Sequence, residues 1–265
     1  MARRRSASPF DRYRDSYRGA VNASIGFSGA DVDFLAKLKA LDIVDTLDRR
    51  LGGAAQARVL DVGCGAGLTD VHLVGRVGEL HGADVAEGLL EAAAADNPAV
   101  HYRSFDGTTL PHADGAFDAA FAICVLHHVE PANRSALVHE MSRVTREGGL
   151  IAIYEHNPFN PLTRLAVSRC DFDVGVELLR PGHTRRLLRA AKAPPVESRF
   201  ITFFPWDSAL LRSVERRLSR LPLGGQFVVV GRVAEATGAT CEDRASPLRL
   251  PRRRSSRRAG TGRSR

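Results

Sequence analysis

The chain has 265 residues, 44% of them hydrophobic and 26% charged, an ordinary balance for a soluble globular protein of one domain plus extensions. No apolar run approaches the roughly 18 residues of a membrane helix, and no hydrophobic segment follows the basic start "MARRR", so neither a membrane span nor a secretory signal is expected and a cytoplasmic location is. The net charge of +8 belongs to residues 246–265, "SPLRLPRRRSSRRAGTGRSR", which hold eight Arg and no acid, so the rest of the chain sums to zero.

In chain order, Tyr13 and Tyr17 stand among polar and aromatic residues in a lead-in expected to be flexible over 1–30 and to close as a lid. Residues 31–51, "DVDFLAKLKALDIVDTLDRRL", then carry apolar residues at helical spacing, with Asp31 as N-cap and "GG" at 52–53 as the stop. Short apolar runs follow at 57–62, 78–85, 99–105, 117–125 and 149–155, separated by "AGLTDVHLVGR", "AEGLLEAAAAD" and "PANRSALVHEMSRVTRE", each suited to a helix. Nearly continuous apolar strands alternating with helices predict a doubly wound, mostly parallel sheet covered on both faces. Two later runs, "RFITFFP" and "GGQFVVVGRV", flank the helical "DSALLRSVERRLSRL" and predict a final pair of strands, seven in all.

The stretch "VLDVGCGAG", residues 59–67, carries the most chemistry. A strand ending at Asp61 runs into Gly63, Cys64, Gly65 and Gly67, where glycines permit positive φ and close approach of a ligand to the backbone. The next strand ends at Asp84, placed to accept both ribose hydroxyls, and the third in "SFDG", where Asp106 is placed to accept from an adenine amino group. Each Asp also has a plain role as a helix cap or turn former. A dinucleotide loop wants G-x-G-x-x-G, but position 68 is Leu, and Asp61 puts a negative charge where a pyrophosphate would lie. That charge suits an amino group or a sulfonium, which favours S-adenosylmethionine over a nicotinamide dinucleotide.

From about 57 to 155 the chain resembles the class I S-adenosylmethionine-dependent methyltransferases. "VLDVGCGAG" is similar to their glycine-rich motif, "GADVAEGLL" to their acidic second motif, and "FDGTTLPHADGAFDAAFAICVLHHV" and "LVHEMSRVTREGGLIAIYEHN" to their later regions. The resemblance implies a Rossmann-like methyltransferase domain over 31–240 with an N-terminal helical lid, using S-adenosylmethionine. It also implies that Asp61 and the backbone of Gly63–Gly67 hold the methionine end, with Asp84 on the ribose. Val85 would pack on the adenine, Asp106 and Gly107 would bind its edge, and Cys124 to Leu126 would floor the methyl group. Cys64 is then a small turn residue.

On the acceptor side, His127 and His128 follow the fourth strand and His156 the fifth; an imidazole there suits removal of a proton from a hydroxyl. They are the candidate catalytic residues, though histidines there also simply shape a pocket. "EHNPFN", residues 155–160, lies after the fifth strand and has one central Pro, unlike the Asp/Asn-Pro-Pro-aromatic loop of amino-group methyltransferases. Glu155, His156 and Asn157 could reach the substrate, and Asn157 and Asn160 could satisfy backbone groups in a rigid turn, two readings that are compatible. No metal site is expected: adjacent Glu155 and His156 diverge, and the four Cys lack zinc or disulfide spacing.

The function expected is methyl transfer to a small-molecule or lipid-linked acceptor, at oxygen. Alternatives are an RNA or protein methyltransferase guided by the Arg-rich tail, and a non-catalytic S-adenosylmethionine-binding protein. Residues 241–265 are expected to be disordered, with at most weak contact to a polyanion. Oligomeric state is not legible.

Overall fold

The computed structural model describes residues 10–11, 16–206 and 208–235. Tyr13, Cys241, the segment "MARRR" and the Arg-rich tail lie outside the described residues. The described residues fall in the compact unit Met1–Glu235.

Helix α1 (Tyr17–Ile25) and a 3-10 turn (Gly26–Ser28) lead into α2 (Val32–Leu51). Asp31 caps α2 by accepting from the Phe34 amide at 2.7 Å, and Gly52 ends it in the left-handed region at φ 84°. Then come β1 (Arg58–Val62), α3 (Asp70–Leu73), β2 (Glu79–Asp84), α4 (Glu87–Asp96), β3 (His101–Ser104), β4 (Phe117–Ile123), α5 (Pro131–Val144) and β5 (Thr145–His156). The chain closes with α6 (Pro161–Arg169), α7 (Pro181–Ala190), β6 (Pro195–Ile201), α8 (Ala209–Leu218) and β7 (Gln226–Arg232). The helix expected over 66–76 is only the four residues of α3, because Gly67 and Gly75 on either side turn the backbone at φ 68° and 74°.

The seven strands form one sheet in the order β3-β2-β1-β4-β5-β7-β6, with β7 antiparallel to both neighbours and the other pairs parallel. Side chains alternate across it with the two-residue period of a strand. Leu60, Ile151, Ile153, Phe227 and Val229 face a core with Leu137 and Met141 of α5 and Leu188 of α7. Val59, Leu150, Ala152, Val228 and Val230 face the opposite layer, with Ile43 and Leu47 of α2. Each of these Val, Leu, Ile, Phe and Met side chains contributes about 1.5–3 kcal/mol when fully buried.

A polar clamp fixes α2 to the far edge of the sheet. Arg199 on β6 bridges Asp42 (2.8 Å) and Glu197 (2.7 Å), and Glu197 also takes Arg50 (2.8 Å) and Arg49 (3.2 Å). The Tyr154 hydroxyl donates to Asp42 at 2.8 Å, so β5 joins the same network. Strand order reverses between β1 and β4, and ligands of such sheets bind at the carboxyl ends of the strands flanking that point.

Candidate active site

A pocket opens at that reversal, between the bend after β1 and the end of β4, under a roof from α1, α2 and α6. Gly63 turns at φ 76°, and a Cβ there would strike the Val125 side chain. Gly65 turns at φ 55° and has open space where a Cβ would stand, at the pocket wall. Cys64 also lines the pocket; burial raises its thiol well above the ordinary range, so it is no ready nucleophile. Gly67 is occupied with packing: a Cβ would meet the Tyr102 hydroxyl and Asn97.

Asp61 is 3% exposed, lines the pocket, and leaves Oδ1 without a hydrogen-bond partner among the described residues. Burial and the neighbouring Asp70 carboxylate raise its pKa well above the usual carboxylate range. Asp70, equally buried, is pushed up to about 6 by burial, while accepting the Tyr102 hydroxyl at 2.8 Å. Two buried carboxyls beside a glycine bend favour a positively charged ligand group, which would relieve their repulsion.

Asp84 is buried at the tip of β2 and accepts from the Gly65 amide through Oδ2 and the Ala86 amide through Oδ1, both at 2.8 Å. It therefore braces the glycine bend, and each oxygen keeps a second lone pair for a ligand hydroxyl. Val85, 38% exposed, sits next to Gly107. Asp106 lies at the surface as a turn former: one oxygen accepts from the Thr108 and Thr109 amides and the Thr108 hydroxyl, each at 2.8 Å. Leu126 is fully buried and packs in the core behind β4, away from the pocket, while Cys124 lines the pocket at φ 56° and takes the Gln226 amide at 3.2 Å.

All three candidate histidines line the same pocket. Nδ1 of His127 is 2.6 Å from Glu155, whose other oxygen accepts the Leu126 amide at 2.8 Å. Its Nε2 is 3.5 Å from Asp173, and Nε2 of His128 is 3.1 Å from the same oxygen. Burial alone would lower His127, but Glu155 and Asp173 outweigh it and hold the imidazole up at about 9. His156, its ring centroid 5.1 Å from that of His127, is pushed down to about 4 by burial and by the His127 charge.

Of "EHNPFN" only His156 lines the pocket. Glu155 points behind His127, and Asn157, fully buried, donates to the Pro222 and Gly224 carbonyls at 3.0 and 2.7 Å while accepting from the Phe159 amide. Asn160 caps α6 and donates to the Leu223 carbonyl at 2.7 Å. Asn157 and Asn160 thus satisfy backbone groups in the turn, while His156 faces the pocket. Among the lid residues, Tyr17 lines the pocket and stacks on Phe172 with centroids 5.2 Å apart. The "FITFFPW" run contributes nothing to the pocket lining.

Sequence reasoning missed Asp70, Asp173, Gln226 and Lys39. Lys39 had a usable signal, being a cation on the same helical face as Val32, Leu35 and Ala36, all of which line the pocket. Asp173 had none, since it reaches the site from the turn between α6 and α7.

Residues 60–153 match the family described as "Methyltransferase domain". Over 107 residues the chain is 40% identical to a demethylmenaquinone methyltransferase of Mycolicibacterium vanbaalenii, covering 40% of this chain and 45% of that protein. Over 102 residues it is 35% identical to the Saccharomyces cerevisiae tRNA (carboxymethyluridine(34)-5-O)-methyltransferase, covering 36% and 34%. These matches span half or less of each relative. A solved S-adenosylmethionine-dependent methyltransferase of Thermotoga maritima superposes with a TM-score of 0.60 at 17% identity, covering 84% of this chain and 98% of that one. The fold is that of the class I methyltransferases.

Proposed function

We propose that this chain, with its class I methyltransferase fold, is an S-adenosylmethionine-dependent methyltransferase that methylates an oxygen of a small-molecule or lipid-linked acceptor. The observation that carries the reading is the unpartnered Oδ1 of buried Asp61, beside Asp70, at a positive-φ glycine bend that opens into the pocket holding the histidines. A diphosphate would be repelled there; an ammonium or sulfonium would be held.

In this reading Asp61 faces the cationic end of the cofactor and Lys39, on the roof, faces its carboxylate. Asp84 accepts the ribose hydroxyls, Val85 offers an apolar ledge to the adenine, and the Gly107 backbone borders its edge. When bound, S-adenosylmethionine supplies an electrophilic methyl group. The chain's own contribution is largely positioning, which is worth roughly 7–11 kcal/mol of barrier when reactants are well aligned. Tyr17 and Phe172 exclude water on the lid side. His128, partly exposed to the pocket and oriented by Asp173, is placed to take a hydroxyl proton; His127 and His156 shape the surrounding wall.

The test is calorimetry with S-adenosylmethionine, followed by incubation of labelled donor with a metabolite extract and mass analysis of the product. Failure to bind the donor, or label found only on nitrogen or carbon, overturns the respective half of the reading.

A second reading, RNA methylation, is favoured by the tRNA-acting relative and by a cleft lined by Arg180, Arg185 and Arg220, apart from the pocket. RNA binding with a steep salt dependence that weakens on deleting 246–265 would favour it.

A further inference from the structure

His127, His156 and Asp173 each present a ligand atom, and these atoms lie within 4.8 Å of one another. They arrive from the loop after β4, the last residue of β5 and the turn before α7, so no sequence spacing announces them. The bond from Nδ1 to Glu155 turns Nε2 of His127 into this cluster, and that atom makes no hydrogen bond among the described residues although the side chain is fully buried. Oδ1 of Asp173 stands between two imidazoles, 3.5 Å from Nε2 of His127 and 3.1 Å from Nε2 of His128.

The 3.5 Å between those two atoms is what two donors on one ion show: ligand bonds of about 2.0–2.1 Å at a tetrahedral angle put neighbours roughly 3.3–3.4 Å apart. His156 brings its ligand atom within 4.8 Å of both. A histidine whose second nitrogen is held by a carboxylate is the arrangement that orients imidazole toward metals and raises its donor strength. An ion at Nε2 takes the place of the proton that Glu155 and Asp173 otherwise hold on His127, releasing it to solvent. Two imidazoles and one carboxylate suit zinc and other divalent transition metals and leave positions open for a further ligand.

We propose that His127 Nε2, His156 and Asp173 form a divalent transition-metal site, with Glu155 behind His127 and the open positions facing the pocket, where an oxygen of the acceptor completes the coordination. The metal site stands on the donor set alone; that its oxygen ligand is a methyl acceptor rests on the methyl-transfer reading. A second triad, Glu79, His81 and His101, lies at the opposite ends of the strands, but Arg58 already sits 2.9 Å from Glu79 and 3.4 Å from His81, so a cation is in place there. It serves as the control.

The test uses the full tag-free chain, stripped with chelator and titrated with Co(II) by visible absorption, with Zn(II) competition and elemental analysis. About one equivalent is expected. Asp173→Asn and His156→Gln should each weaken binding at least tenfold, Glu155→Gln by about 10–100-fold, and His101→Gln should leave it unchanged. Absence of saturable binding by the unmodified chain overturns the proposal, as does binding retained in both Asp173→Asn and His156→Gln or lost in His101→Gln. Circular dichroism melts establish that the variants fold. Calorimetry with S-adenosylmethionine on the same preparations separates the two claims. Intact donor binding without metal sinks this site alone; intact metal without donor binding sinks the function alone.

Discussion

At Asp61 and Asp70 the chain keeps two buried carboxyl groups side by side, each with an Oδ1 that takes no hydrogen bond among the described residues. An ionised pair there is costly without a cation, so binding a cationic group draws the pair toward its charged form and releases a proton. Donor affinity should therefore fall as the pH drops through the raised titration range of the pair, with proton release visible as buffer-dependent heat in calorimetry. A flat profile would remove Asp61 from the cationic end. Asp84→Ala should weaken donor binding at least tenfold, since each charge-assisted bond it offers is worth about 1.5–3 kcal/mol. That variant also frees the Gly65 and Ala86 amides, and Asp84→Asn, which keeps one acceptor oxygen but sets an NH2 against the other amide, should weaken donor binding as well.

Among the elements, the bend between β1 and α3 shows how a single residue type fixes a site. Gly63→Ala should destabilise the fold by more than about 1 kcal/mol in urea denaturation, both from its φ of 76° and from the Val125 side chain beside it. Val125→Ala should recover part of the loss by making room, and the remainder is backbone strain. These strands were legible because they are buried on both faces and read as apolar runs; the positions of Asp61, next to last in β1, and Asp84, last in β2, were legible because the end of a buried strand fixes where its side chains stand. Leu126 and Asp106 show the limit. One residue of twist after β4 decides whether a side chain faces the pocket or the core, and a surface Asp caps its own turn as readily as it binds a ligand. Asp173 was illegible because only the path of the chain from α6 to α7 brings it to the histidines.

For the whole molecule, the clamp of Arg49, Arg50 and Arg199 on Glu197 ties the helix that roofs the pocket to the outermost strand. Burial alone would raise Glu197, but the guanidiniums hold it down at about 2, against 4.5 when unpaired. A depressed carboxylate stabilises the fold above its unfolded value and loses that contribution as the pH falls through its folded value. Stability should thus decline by about 2–3 kcal/mol between pH 5 and pH 2 on this account. Glu197→Gln should abolish that part of the acid sensitivity in a series of melting curves. No helix among the described residues is long and apolar enough to cross a membrane.

The place of β7 in the sheet has a consequence for synthesis. It lies between β5 and β6 yet follows both in chain order, and its first residue, Gln226, reaches Cys124 in the pocket. A growing polypeptide that has passed the ribosome only as far as β6 holds the whole glycine bend but leaves the edge of β5 bare, a template for pairing with another nascent chain. The completed pocket wall and the cover for the edge of β5 thus arrive together, once residues 226–232 have been made, and chains stalled before residue 226 should pellet rather than stay in solution.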